Sequence, residues 1–292
     1  MILIFFKSYK YQLAFYLILL VLSLFPIALS TVSSIKNTNS HKELFNIELS
    51  RFQTIDDITA HIDGIYSATY SSSNIDTFAY VKITSDVIKK RFFHGLSQYS
   101  FKENWIAALS GKILWNHLSA IIEPDDILNY NEGLCSQQAI VFLEILKSKG
   151  IKTRWVGLGY KEGPGHFLAE VYYQGKWHLY DVNMEPKWNR IINEHKSMDY
   201  YLRSPDTLYV AYQGILDKQR FNKIMEKVEY GDVNEFPAKN MLLFHRITKI
   251  MTYLLPVFFM LMIIMTLFKQ KVPAKIIKKT TVKFRPKKVN SL

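Results

Sequence analysis

Two long apolar stretches without a single charge, one near each end, restrict what this chain can fold into more than any other feature of it. The first runs from Tyr11 to Val32, YQLAFYLILLVLSLFPIALSTV, and the second from Met251 to Phe268, MTYLLPVFFMLMIIMTLF. Roughly 18 to 20 apolar residues cross a hydrocarbon core as helix, and helix is the form that satisfies the backbone there within one segment. Each run therefore predicts a membrane helix, over 11–32 and 247–268. Ala28-Leu29-Ser30 also offers the small residues at alternate positions that a signal peptidase uses. The apolar run exceeds the usual signal core of about 7 to 15 residues, so an uncleaved anchor is the reading carried forward, with cleavage after Ser30 as its alternative.

The formal net charge of +12 would suit a nucleic-acid binder if it were spread over the chain. It is not. Lys7 and Lys10 precede the first run, Lys249 opens the second, and nine Lys or Arg follow it, from Lys269 to Lys288. Without these twelve, 25 Lys and Arg face 25 Asp and Glu, and the segment between the runs is neutral. Nucleic acid is thereby excluded as the expected partner, and the basic excess belongs to the membrane flanks. Short Lys- and Arg-rich segments stay cytoplasmic, which places both termini (1–10 and 269–292) inside and residues 33–246 outside the cytoplasm at the plasma membrane. Membrane lipids are an expected partner, with the basic tail drawn to anionic headgroups.

Between the runs, a short polar linker at Ser33–Ser40 leads into a helical region over 33–114. Thr54 with Asp57 predicts a helix cap, Ser71 to Asn74 a break, and Gly95 the end of a second helix. Phe101 to Leu118 carries Trp105, Leu109, Ile113 and Leu118 at helical spacing, with Ile106 and Leu114 beside them, a stripe expected to face the core. The pattern then changes over 115–186. CSQQAIVFLEILKSK (135–149) reads as a buried helix stopped by Gly150, followed by strands over 151–160, 166–173 and 176–182, the last two joined by Gln174-Gly175 as a tight hairpin. Residues 187–246 read as a helical extension, Ser197 to Gly214 and Asp217 to Glu229, with a Pro237 linker before the second run. The fold class is α+β: a cysteine-bearing helix on an antiparallel sheet, with flanking helices.

Cys135 is the only cysteine, so it has no partner for an internal disulfide and no thiolate cluster to join. Taken alone, such a residue is a small buried hydrophobe. Its position argues for more. Gly133-Leu134-Cys135 puts the thiol where a helix begins, and the unpaired N–H groups and positive dipole end of a helix favour thiolate. A thiolate needs a base, and the base an orienting partner. If Gln174-Gly175 is a two-residue turn, Tyr173 pairs with Lys176, His166 falls opposite Asn183, and Asp181 lies one diagonal step away on the same face, within reach of a ring nitrogen.

The order Cys135, His166, Asp181 resembles the transglutaminase-like superfamily, in GLCSQQA (133–139), GIKTRWVG (150–157), GHFLAEVY (165–172) and GKWHLYDV (175–182). The resemblance implies a papain-like core and roles for Cys135 as nucleophile, His166 as base and Asp181 as orienter. It implies acyl transfer or amide hydrolysis through a Cys acyl-enzyme, on a peptide, protein or envelope-polymer substrate. A domain of this fold without activity, serving as a binding or scaffold unit in an envelope or surface-polysaccharide assembly, is the alternative. The chain departs from the family pattern in having Leu168 where a Trp often stands two residues after the histidine. The side-chain oxyanion donor is unassigned among Asn131, Trp115 and Asn116. The remaining histidines show no metal-site spacing, and neither metal nor cofactor is expected.

Overall fold

The computed structural model describes residues 8–29, 45–70, 75–159, 165–184 and 195–271. The linker at Ser33–Ser40, the break at Ser71–Asn74, Ser30 of the cleavage motif and the basic tail beyond 271 lie outside the described residues. Helix α1 (Tyr9–Leu29) precedes α2 (Ile55–Thr69) and α3 (Thr77–Arg91). The Thr54 hydroxyl accepts from the Asp57 N–H at 3.1 Å, the expected cap. Strand β1 (Phe93–His94), α4 (Phe101–Ile113), α5 (Pro124–Leu128), β2 (Glu132–Gly133) and α6 (Cys135–Ser148) follow. Strands β3 (Thr153–Gly159), β4 (His166–Tyr173) and β5 (Lys176–Tyr180) come next. The chain continues through α7 (Met198–Arg203), α8 (Pro205–Tyr212), α9 (Lys218–Ile224), β6 (Lys227–Tyr230) and α10 (Lys239–Lys271).

The antiparallel sheet has the order β5-β4-β3-β6, and its two faces are both covered. Ala169, Val171, Tyr173 and Tyr180 share one core with Ala139, Phe142, Leu143 and Leu146 of α6 and with α2 and α3. The intervening residues Leu168 and Leu179, with Val156 and Leu158, share a second core with Tyr201, Leu208, Tyr212 and Phe221 of α7 to α9. Double-sided burial explains why these strands carry few polar residues between their apolar ones.

Several expectations need correction. The helical extension is not helical throughout: Lys227–Tyr230 form β6, which pairs antiparallel with β3 from Val156 to Gly159. Its alternation is only four residues long and lies against an edge, too short for a sequence pattern to separate it from the end of a helix. A strand, β1, likewise lies in the region read as helical, pairing parallel with β2. Finally, the Leu109/Ile113 stripe of α4 is not core. Leu109 is 37% exposed and Ile113 69%, whereas Asn104, Ala107, Ala108 and Gly111 are buried. On the buried side Ala107 joins the first core, Gly111 faces Ser119 and Asn104 reaches α10; periodicity marks two faces without saying which is covered.

The second apolar run also does not hang on a linker. Helix α10 is continuous from Lys239, and its first turns are part of the domain: Phe244 packs on the first core, and Arg246 pairs with Glu123 at 2.7 Å and Lys249 with Asp126 at 2.7 Å. Asn104 locks the joint. It leaves helical geometry at φ −157°, its amide donates to the His245 carbonyl at 3.2 Å and the Thr248 hydroxyl at 2.9 Å, and its oxygen recaps α4 at the Ala107 N–H. Helix α1 lies against both α4 and α10. Both α1 and α10 are long and apolar enough to cross a membrane, and the apolar windows of both are largely unburied, unlike a soluble core helix.

Candidate active site

Cys135 is the first residue of α6, and the turn leading into it is held from several directions by one buried glutamine. The Gln137 amide oxygen accepts from the N–H groups of Leu134, at 3.0 Å, and Ser97, at 3.1 Å. Its amide nitrogen donates to the carbonyls of Ser97 and Ile121, both at 2.8 Å. Gln138 donates to the Gly133 carbonyl at 2.8 Å. Behind this turn, Arg91 is buried at 1% exposure and its guanidinium donates to the carbonyls of Tyr130, at 2.9 Å, and Leu128. The thiol itself is only partly buried. At this position the backbone N–H of Cys135 is among the first of the helix, which have no intrahelical acceptor and point at any anion placed there.

The hairpin register is the one the two-residue turn demands. Tyr173 pairs with Lys176 and Ala169 with Tyr180, and Gln174 and Gly175 both take positive φ, 50° and 77°, as a type I′ turn requires. Gly165 precedes His166 where a Cβ would lie 2.2 Å from the Leu158 carbonyl oxygen, so the close approach of β4 to β3 at that point needs glycine. His166 and Asp181 emerge on the same face. The His166 Nε2–H donates to Asp181 Oδ2 at 2.7 Å, and the Cys135 sulfur is near enough to the same ring to help raise its pKa. Sulfur, imidazole and carboxylate are thus brought together as the sequence register anticipates.

Asp181 also acts as the turn residue it resembles. Its Oδ1 accepts from the N–H groups of Asn183 at 3.0 Å and Met184 at 2.9 Å, leaving Oδ2 for the imidazole. Tyr212 of α8 adds a hydroxyl donor to Oδ2 at 2.6 Å, and its ring meets the His166 ring edge-on. Burial alone would lower the His166 pKa, but the Asp181 carboxylate and the Cys135 sulfur push it up to about 10. Burial would raise Asp181, and the His166 charge with the Tyr212 and backbone donors holds it below the ordinary carboxylate value. Both side chains are almost wholly enclosed, at 4% and 2% exposure, so little water screens the pair.

Sequence reading missed Tyr212, which lies thirty-one positions from Asp181 in a segment without a local chemical pattern. It also passed over His94, whose Nδ1 lies 3.1 Å from Asn183 Oδ1 while its backbone pairs with Gly133, two residues before the thiol. Asn183 was legible as the cross-strand partner of His166; His94 was not, because a two-residue parallel bridge carries no periodicity. Among the oxyanion candidates, Asn116 Oδ1 accepts from Gln98 at 2.6 Å, Trp115 is 57% exposed and Asn131 gives its backbone carbonyl to Phe93.

Residues 99–182 match the model of the transglutaminase-like superfamily. No curated protein matches the chain. A solved structure of a TGase is 20% identical over 61% of this chain, with a TM-score of 0.29. The chain spans 41% of that protein's length.

Proposed function

We propose that this chain, whose residues 99–182 match the model of the transglutaminase-like superfamily, is a membrane-anchored thiol enzyme, working outside the cytoplasm through an acyl-enzyme on Cys135. The observation that carries the reading is the His166 ring held between the thiol at a helix N-terminus and a buried carboxylate. In the first half-reaction the Cys135 thiolate attacks the acyl carbon of an amide or ester. The oxygen of the tetrahedral intermediate takes the Cys135 N–H, and protonated His166 gives its proton to the departing amine or alcohol as the carbon–nitrogen or carbon–oxygen bond breaks. In the second, neutral His166 takes a proton from water or an acceptor amine as that nucleophile displaces sulfur. Asp181 keeps Nε2 protonated, so Nδ1 faces the thiol, and stabilises the imidazolium. Peptide, protein and envelope-polymer amides are the substrate class.

Helices α1 and α10 serve as the anchors, with both termini cytoplasmic, a reading supported by their unburied apolar windows and the basic tail. A reporter fused after Leu292 is expected to be active only in the cytoplasm, and one inserted at Ser72 only outside it. The chemistry is tested by treating the full-length protein in membranes with an electrophilic acyl probe. Mass increase at Cys135, lost in Cys135→Ala and reduced by about 10²-fold or more in His166→Ala, is the expected result. Labelling that ignores His166, with no turnover of any amide, replaces the enzymatic reading with that of a binding or scaffold domain.

A further inference from the structure

One surface of the domain does not fit a protein face turned to water. Leu109, Ile113, Leu114 and Trp115, on the last turn of α4 and just past it, are 37%, 69%, 76% and 57% exposed. Contiguous apolar side chains this uncovered mark a surface that something else covers.

Three contacts fix where this corner sits. The ammonium of Lys112 lies 4.6 Å from the Phe101 ring centroid, because the break at Asn104 folds the start of α4 back toward its end. The neighbouring Lys102 carbonyl accepts from the Tyr253 hydroxyl at 3.0 Å. On the other side, the Leu118 carbonyl accepts from His245 Nε2 at 3.0 Å. The corner is therefore bracketed along α10 between His245 and Tyr253, a stretch about 12 Å long at the helical rise. Within that stretch α10 passes from Arg246 and Lys249, paired with acidic residues of the domain, into the uncharged run that starts at Met251. Exposed apolar side chains run along α10 from Ile247 and Ile250 through Leu254 to Phe268, and α4 packs against both α10 and α1.

We propose that this corner is a membrane-docking surface, with Ile113, Leu114 and Trp115 seated in the headgroup and upper acyl region of the bilayer beside the two anchors. The proposal rests on the anchored reading given above. Its composition suits that depth: an indole prefers the interface, aliphatic neighbours reach the acyl boundary, and the exposed Lys102 and Lys112 flank the tip where anionic headgroups lie. A second copy or a protein partner would use the same apolar chemistry. The level of the corner on α10, where the helix passes into its exposed apolar run, decides for lipid. Docking there fixes which side of the domain faces the membrane, and it gives Trp115 a role in place of an oxyanion donor.

The chain's single cysteine makes the test direct. In full-length Cys135→Ala protein reconstituted in vesicles containing anionic lipid, Leu114→Cys and Ile113→Cys each carry an environment-sensitive fluorophore. Leu261→Cys in the apolar half of α10 and Lys218→Cys on the far helices serve as references. The expected result is a blue-shifted emission at 113 and 114, quenched more by shallow than by deep lipid nitroxides, with the reverse preference at 261 and no quenching at 218. Quenching at 261 together with a water-like label at 113 and 114 overturns the docking surface and leaves the anchor standing. A blue-shifted label at 113 or 114 that no lipid nitroxide reaches assigns the corner to a protein partner and also overturns it. Absence of quenching at 261 removes the anchored reading itself.

Discussion

At the scale of single residues, the site is an arrangement of donors around one carboxylate. Asp181 accepts from His166, Tyr212 and two backbone N–H groups, so every lone pair that burial strips of water has a partner. The imidazolium gains most, and its pKa rises from 6.5 to about 10. A raised pKa means that the folded state binds this proton more tightly than the unfolded chain. The stabilisation is complete below the unfolded value of 6.5 and drains away as pH climbs through about 10. Asp181, held below its ordinary 3.8, contributes in the opposite sense: its share is complete above that value and is lost in stronger acid. The pair thus acts in full from about pH 4 to 6.5. His166→Gln is expected to lower the melting temperature most in that window, and the gap between variant and parent should narrow steadily toward pH 10. A gap that stays constant from pH 6 to 10 in thermal melts is the result that contradicts a charged resting imidazole.

At the scale of elements, the hairpin shows how much of the site was readable in advance. Two residues, Gln174-Gly175, set the turn; the turn sets the register; and the register puts His166 and Asp181 on one face. That chain of dependence is local, so the sequence contained it. Gln174, however, is a non-glycine residue at φ 50°, where asparagine is better suited, and Asn-Gly is the favoured type I′ pair. Gln174→Asn is accordingly expected to stabilise the fold by about 0.5 kcal/mol without changing the register, read as a rise in denaturation midpoint at constant slope. A fall in the midpoint would show that the Gln174 side chain contributes more than its backbone costs. What local pattern could not supply was everything arriving from afar. Tyr212 reaches Asp181 from α8, His94 reaches Asn183 through a two-residue strand, and α4 turns inward a face received by the first core, by Ser119 and, at Asn104, by α10. The Leu109/Ile113 stripe and the Ala107/Gly111 stripe have the same period, and only what packs against them distinguishes them.

At the scale of the whole molecule, the domain that carries Cys135 and the second apolar helix are one body rather than a domain on a tether. The first three turns of α10 complete the domain: Phe244 packs on its core, Asn104 binds the His245 carbonyl and the Thr248 hydroxyl, and Glu123 and Asp126 take Arg246 and Lys249. Exposed ion pairs of this kind contribute little each, roughly 0.2–1 kcal/mol. The larger loss on removing this segment would come from uncovering the apolar partners of Phe244 and from losing the two hydrogen bonds of the Asn104 amide, each with a net worth of about 0.5–1.5 kcal/mol. The boundary of the folding unit should therefore lie after Lys249 and not at the Pro237 turn. A chain of residues 45–250 is expected to melt cooperatively. A chain of residues 45–238 should be less stable by about 1 kcal/mol or more, the burial lost with the half-buried Phe244, and should bind a hydrophobic dye where the partners of Phe244 are uncovered. Equal melting temperatures for the two chains would make α10 a tether after all, and the position of the thiol relative to the second apolar run would no longer be fixed by the fold.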